Sequence, residues 1–249
     1  MRFTSHRDFA RALERAVRRA ELPIAYSAGF SPHPKISYVG AAPTGVASEA
    51  EYAELGLARA MDADALRTAL DAVLPDGLDV VDAVTAGPGS LADRIDVSRW
   101  RLELPGVDPE DLAAAVGIFA AKDEVMVERL TKQGRRHLDA RTPVLRIEVE
   151  DVVIDPESKD IGDNSETSRP IAGTGAPTGG SGARCAILDL VVRHVTPSVR
   201  PDEVLAGLRV VADLEPPVPV RVTRVAQGTL TEHGDIADPL EVDRVTPHR

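Results

Sequence analysis

An α+β protein of two tandem sheet-and-helix modules is what this sequence predicts. Three observations carry the prediction. Helical and strand-like periodicities follow one another as helix, strand, strand, helix, strand over residues 1–85, and a similar succession returns over residues 95–228. Residues 86–94 (AGPGSLADR) between them are too rich in glycine and small polar residues to be an element, and read as a linker. Aromatic residues make up only 3% of the 249, so both cores have to be built from leucine, valine and alanine.

The first helix is predicted to start at Ser5, a good N-cap, with Asp8 three residues on as a capping-box partner. Phe9, Leu13, Ala16, Val17 and Ala20 recur at helical spacing, and Pro23 marks the stop. The segment 25–35 (AYSAGFSPHPK) holds two prolines and a glycine and reads as a shaped loop. Residues 35–40 and 51–57 read as strands around the turn-rich GAAPTGVAS. A second helix is capped by Asp62 or Asp64, and LDVVDAV (78–84) reads as a further strand.

This order is that of a ferredoxin-like βαββαβ module without its N-terminal strand. A sheet lacking a central strand leaves ladder bonds of its neighbours unmade. The strand is therefore expected upstream of the recorded start, or from a partner chain.

In the second module, Trp100, Leu102 and Leu104 alternate as a strand, and Asp108-Pro109-Glu110-Asp111 starts a helix. Residues 124–131 and 143–151 read as strands around a basic tip, Lys132 to Arg141. The strand from Cys185 to His194, a helix from Pro201 and a strand over 218–226 complete a second ferredoxin-like module with extra strands. Residues 155–183 are rich in Ser, Gly, Pro, Thr and Asp with few apolar side chains, and are expected to form a disordered insertion. Residues 229–249 are expected to form a flexible tail.

Composition excludes several functions. One cysteine, Cys185, rules out an internal disulfide and an all-cysteine metal or iron–sulfur site, and fits a reducing compartment. No apolar run is long enough to span a bilayer, so a cytoplasmic location and no membrane partner are expected. There is no phosphate-binding loop, no dinucleotide fingerprint and no metal-ligand spacing among the histidines, so no cofactor and no metal of its own are expected.

Charge points to a binding face. The net charge is −11, yet residues 1–40 carry +4 and the remainder −15. Arg7, Arg11, Arg15 and Arg18 fall on one face of the first helix, opposite Phe9 and Leu13. Guanidinium forks suit phosphate oxygens, which makes this face a candidate phosphate stripe. The plainer reading is a solvated face paired with Glu14 and Glu21.

Tyr26, His33 and Lys35 lie close in sequence, and aromatics among cations suit single-stranded nucleic acid. Phe30 is expected at the core edge. His33, with a pKa near neutrality, is also a candidate acid–base residue, and His6 a second one. Glu49, Glu51 and Glu54 are expected to decorate strand faces, and Cys185 to be an inert, packed thiol. Lys132, Arg135, Arg136, His137 and Arg141 form a second basic spot.

The segments TSHRD, RRAELPIAYSAGFSPHPKISY and PTGVASEAEY resemble the opening of the bacterial radical SAM-linked family of unknown function. The likeness is closest over residues 2–57 and continues more loosely to about residue 150. It implies work beside a radical SAM enzyme, which would hold the three-cysteine cluster motif that this chain lacks. It implies no site residues. A fold-level analogy to CRISPR repeat-processing endoribonucleases stands further off. The leading expectation is an accessory module that binds an anionic substrate, RNA above all. The alternatives are a metal-independent endoribonuclease using His33, and a structural adaptor whose basic helix docks on an acidic protein.

Overall fold

The computed structural model describes residues 6–132, 134–150 and 184–245. The expected insertion at 155–183, the Ser5 cap and the segment where a first strand would lie fall outside them.

Helix α1 (His6–Arg19) presents Leu13, Ala16 and Val17 to a small apolar cluster, as its periodicity requires. Strand β1 (Ile36–Val39) is followed by the two-residue β2 (Ala47–Ser48) and by β3 (Tyr52–Leu55). β1 and β3 pair antiparallel, Ile36 opposite Leu55 and Val39 opposite Tyr52. Ile36, Tyr38, Ala53 and Leu55 alternate onto the cluster face, where α1 and helix α2 (Ala63–Asp71) cover them. Asp62 caps α2 by accepting from the Ala65 N–H at 2.9 Å.

The expected strand at 78–84 does not form. Val80 packs against the cluster, but the segment pairs with no strand among the described residues, and its backbone is anchored by Asp71 accepting from the Val80 N–H at 2.9 Å. The first half is two helices on a two-stranded ladder, not the expected three.

The second half begins after a single 3-10 turn (Leu91–Arg94) with β4 (Val97–Pro105) and α3 (Pro109–Ala120), capped by Asp108 and opened by Pro109 at its first turn. The hairpin β5 (Met126–Thr131) and β6 (Gly134–Asp139) follows, then β7 (Val144–Glu150), β8 (Cys185–Arg193), α4 (Pro201–Ala212) and β9 (Arg221–Leu230). The larger sheet runs β9-β4-β8-β7 with antiparallel neighbours throughout. α3 and α4 cover one face, over a core of Leu102, Leu104, Leu112, Phe119, Leu188, Leu190 and Leu208. The two helices approach closely at Gly207, where a Cβ would sit 2.7 Å from the Phe119 ring.

The basic tip expected between two strands is itself strand β6, paired with β5 from Met126↔Asp139 to Thr131↔Gly134. β7 pairs with β8 and not with β5. The expected flexible tail also carries structure. β9 continues to Leu230, β10 (Ile236–Ala237) pairs with its end, and α5 (Glu241–Val245) is tied back by Arg244 to Asp82 at 3.0 Å and by Asp243 to Arg94 at 2.7 Å. No helix among the described residues is long and apolar enough to cross a membrane.

Asp139 fastens the turn between β6 and β7. It accepts from the backbone N–H groups of Val125 at 2.9 Å, Arg141 at 2.8 Å and Thr142 at 3.1 Å. Burial raises its pKa, but these bonds and the Thr142 hydroxyl outweigh it and hold the carboxyl below its ordinary value. A depressed folded pKa contributes stability above the unfolded value of about 4, and loses it as pH falls through the lower folded value. Asp139→Asn is therefore expected to be less stable than wild type at neutral pH, with the gap closing under acid. Urea melts across the pH range check this, and a pH-independent gap would contradict it.

Candidate anionic-ligand face

The helical period that sends Leu13, Ala16 and Val17 inward sends Arg7, Arg11, Arg15 and Arg18 outward, and all four are exposed. Glu14 and Glu21 do not neutralise them. Among the described residues none of the four takes part in an ion pair, a hydrogen bond or a cation–π contact. Arg19 on the same helix differs, donating to the Val73 carbonyl at 3.5 Å.

Several arginines of the larger sheet are tied down. The open face of the larger sheet pairs Arg99 with Asp189 at 2.6 Å, Arg146 with Asp189 at 3.4 Å, Arg101 with Glu150 at 3.0 Å and Arg221 with Glu103 at 3.4 Å. That face is a lattice of opposite charges drawn from β4, β7, β8 and β9, whereas the four exposed arginines of α1 have no such partner among the described residues.

The loop after α1 is a narrow hairpin. The Ala25 N–H donates to the Gly56 carbonyl at 2.7 Å, the Gly56 N–H to the Lys35 carbonyl at 2.8 Å and the Lys35 N–H to the Ala25 carbonyl at 2.8 Å. Nearer the tip, the Ser27 N–H donates to the His33 carbonyl at 2.9 Å, and the His33 N–H to Ser27 Oγ at 3.0 Å. Ile24 roots this stem in the cluster that holds α1. Tyr26 is 47% exposed, and His33 and Lys35 are exposed. The His33 ring has no partner among the described residues, so nothing on this loop fixes its tautomer. The structure thus brings the loop residues onto one hairpin whose stem is rooted in the same cluster as α1.

Phe30 is a correction. It does not fill the core edge. It stands at the tip with a relative exposure of 108%.

The second basic spot is partly committed to structure. Arg141 donates to the Val144 carbonyl at 3.0 Å and the Ala120 carbonyl at 3.2 Å and lies 5.9 Å over Phe119, and Arg135 pairs with Glu128 at 3.2 Å.

The sequence reading missed the seam between the two halves. β2 pairs parallel to β9, Ala47 opposite Thr223 and Ser48 opposite Arg224. Arg224 is 3% exposed and ion-pairs with Glu51. It also donates to the Gly40 carbonyl and to Ser48 Oγ at 3.2 Å, and lies 5.5 Å over the Trp100 ring. Burial pulls its pKa down, and the Glu51 carboxylate opposes that.

Beside it, buried Gln227 donates to the Ala50 carbonyl at 2.6 Å. Its Oε1 lies where a Cβ on Gly40 would approach to 2.7 Å, so a side chain there would push Gln227 aside, and the φ of +57° at Gly40 also favours glycine. Glu51 is thus a structural ion-pair partner and not surface decoration.

His194 Nε2 lies 2.7 Å from Ser98 Oγ, and burial lowers its pKa. His194 is exposed, but Ser98 is 1% exposed, which withholds its hydroxyl from a substrate. Among the described residues no group of three or more His, Cys, Asp and Glu is placed to hold a metal.

Residues 1–201 match the family model described as "Uncharacterized protein conserved in bacteria (DUF2344)". The match spans α1 through β8 and stops at the first residue of α4, so β9 with Arg224 lies beyond it. No curated protein matches the chain.

Proposed function

The chain belongs to the DUF2344 family of uncharacterized bacterial proteins, and from that premise we propose that it is a non-catalytic accessory module that binds an anionic substrate, RNA above all, for a separate radical SAM enzyme. The observation that carries the binding half is the contrast in pairing. Four arginines of α1 stand exposed and unpaired, while those of the larger sheet's open face are neutralised. Arg7, Arg11, Arg15 and Arg18 hold phosphates in this reading, and Tyr26, His33 and Lys35 shape the recognition loop.

The remainder of the chain carries −15 and disfavours a polyanion on most of its surface, so binding is local. The radical SAM partner rests on the resemblance, closest over residues 2–57, and a cytoplasmic setting on the single cysteine and the lack of a bilayer-spanning apolar run. We also read β4-α3-β7-β8-α4-β9, with its sheet order β9-β4-β8-β7, as a ferredoxin-like unit carrying the β5–β6 hairpin as an addition.

A filter-binding titration with short RNAs over a range of salt tests the binding half. Binding that weakens steeply with salt supports it, and binding indifferent to salt, or absent, removes it. Recovery of the radical SAM enzyme with the tagged protein from native lysate supports the partner half.

A further inference from the structure

A fully exposed phenylalanine on a tightly laddered loop is a side chain presented for contact. The pairs that close the stem at Ser27–His33 and Ala25–Lys35 leave a tip of residues 28–32, with Phe30 at its centre. Pro32 and Pro34 fix their own backbones and push Ser31 and His33 to extended conformations, so the tip is shaped before it meets a ligand. Gly29 adopts φ +125°, a turn that side chains rarely allow, immediately before Phe30.

The chemistry around the ring is one-sided. Not one carboxylate occurs between Glu21 and Glu49 in a chain that holds 40 acidic residues. Tyr26, His33 and Lys35 surround the tip in sequence, and the unpaired arginines stand on the helix rooted in the same cluster as the stem. An apolar ring on a loop whose own sequence carries cations and no carboxylate fits a ligand that is both flat and anionic.

Building on the RNA-binding reading above, we infer that Phe30 is a base-stacking finger, so that this face takes single-stranded RNA in preference to duplex. A duplex buries its base faces and offers the ring nothing, whereas an unpaired base offers a full π-face beside its own phosphate. The stack is sequence-tolerant, because every base has such a face.

The test is fluorescence anisotropy on the full chain with three probes: a labelled single-stranded RNA, the blunt duplex of the same length, and heparin. Wild type is expected to bind the single strand more tightly than the duplex. Phe30→Ala is expected to weaken single-strand binding by about tenfold while leaving heparin binding and the salt slope as in wild type. Phe30→Trp is expected to restore single-strand binding. The ring makes no core contact, so circular dichroism should be unchanged in both variants.

Wild type that binds single strand and duplex equally overturns the inference. So does Phe30→Ala that binds the single strand like wild type, or that loses heparin to the same degree. In each of those cases the RNA-binding reading itself still stands. Wild type that binds none of the three probes overturns that reading and the stacking finger with it.

Discussion

Glu51→Ala is expected to destabilise the protein by about 3 kcal/mol, the low end of what breaking a buried ion pair costs. The cost arises on the other partner. Arg224 is 3% exposed and cannot turn to water when its carboxylate goes. The Gly40 carbonyl, Ser48 Oγ and the Trp100 ring stay in place around it, which keeps the loss from being larger.

Arg224→Met is expected to cost less, because Glu51 keeps a quarter of its side-chain surface in water (26%) and can rehydrate, while the methionine fills the space over Trp100. Both are read from urea melts of the full chain. The seam joins β2 to β9, so the Glu51→Ala melt should also broaden as residues 6–85 loosen ahead of the larger sheet. A Glu51→Ala curve that overlays wild type would show that the seam is held by the β2–β9 ladder and not by this pair.

Reversing two charges on α1 is expected to have the largest effect on binding. If the four arginines each neutralise one phosphate of a single strand, log affinity falls against log salt with a slope of about −2.8, or about 50-fold between 50 and 200 mM salt. Arg11→Glu with Arg15→Glu removes the two central contacts and adds repulsion. The slope should halve, and affinity at low salt should drop by about two orders of magnitude. Neither side chain has a partner among the described residues, so the melting curve should not move.

Arg209→Glu supplies the control. Arg209 is exposed on α4 and pairs with Glu215 at 3.2 Å, and reversing it should leave RNA affinity as it was. Equal losses from both variants would mean that net charge, and not this helix face, governs the interaction. An unchanged slope in the α1 variant would remove the phosphate stripe.

What the sequence determined by itself is whatever depends on short-range periodicity and capping. Asp62 and Asp108 cap their helices in the structure, Pro109 and Pro201 open theirs, and the exposed arginine face follows from the 3.6-residue period and the apolar residues opposite it. A helix face is a local property, so it was legible residue by residue. Strand identity and burial are properties of neighbours, and these the tertiary structure alone decided. LDVVDAV has a strand's alternation but joins no ladder among the described residues, whereas Arg135-Arg136-His137, with no apolar alternation, became a strand because β5 lies beside it. Phe30 and Arg224 invert the expectation drawn from polarity. The phenylalanine is carried into water by a short laddered stem, and the arginine is drawn inside by a carboxylate far away in sequence, whose proximity no local pattern records.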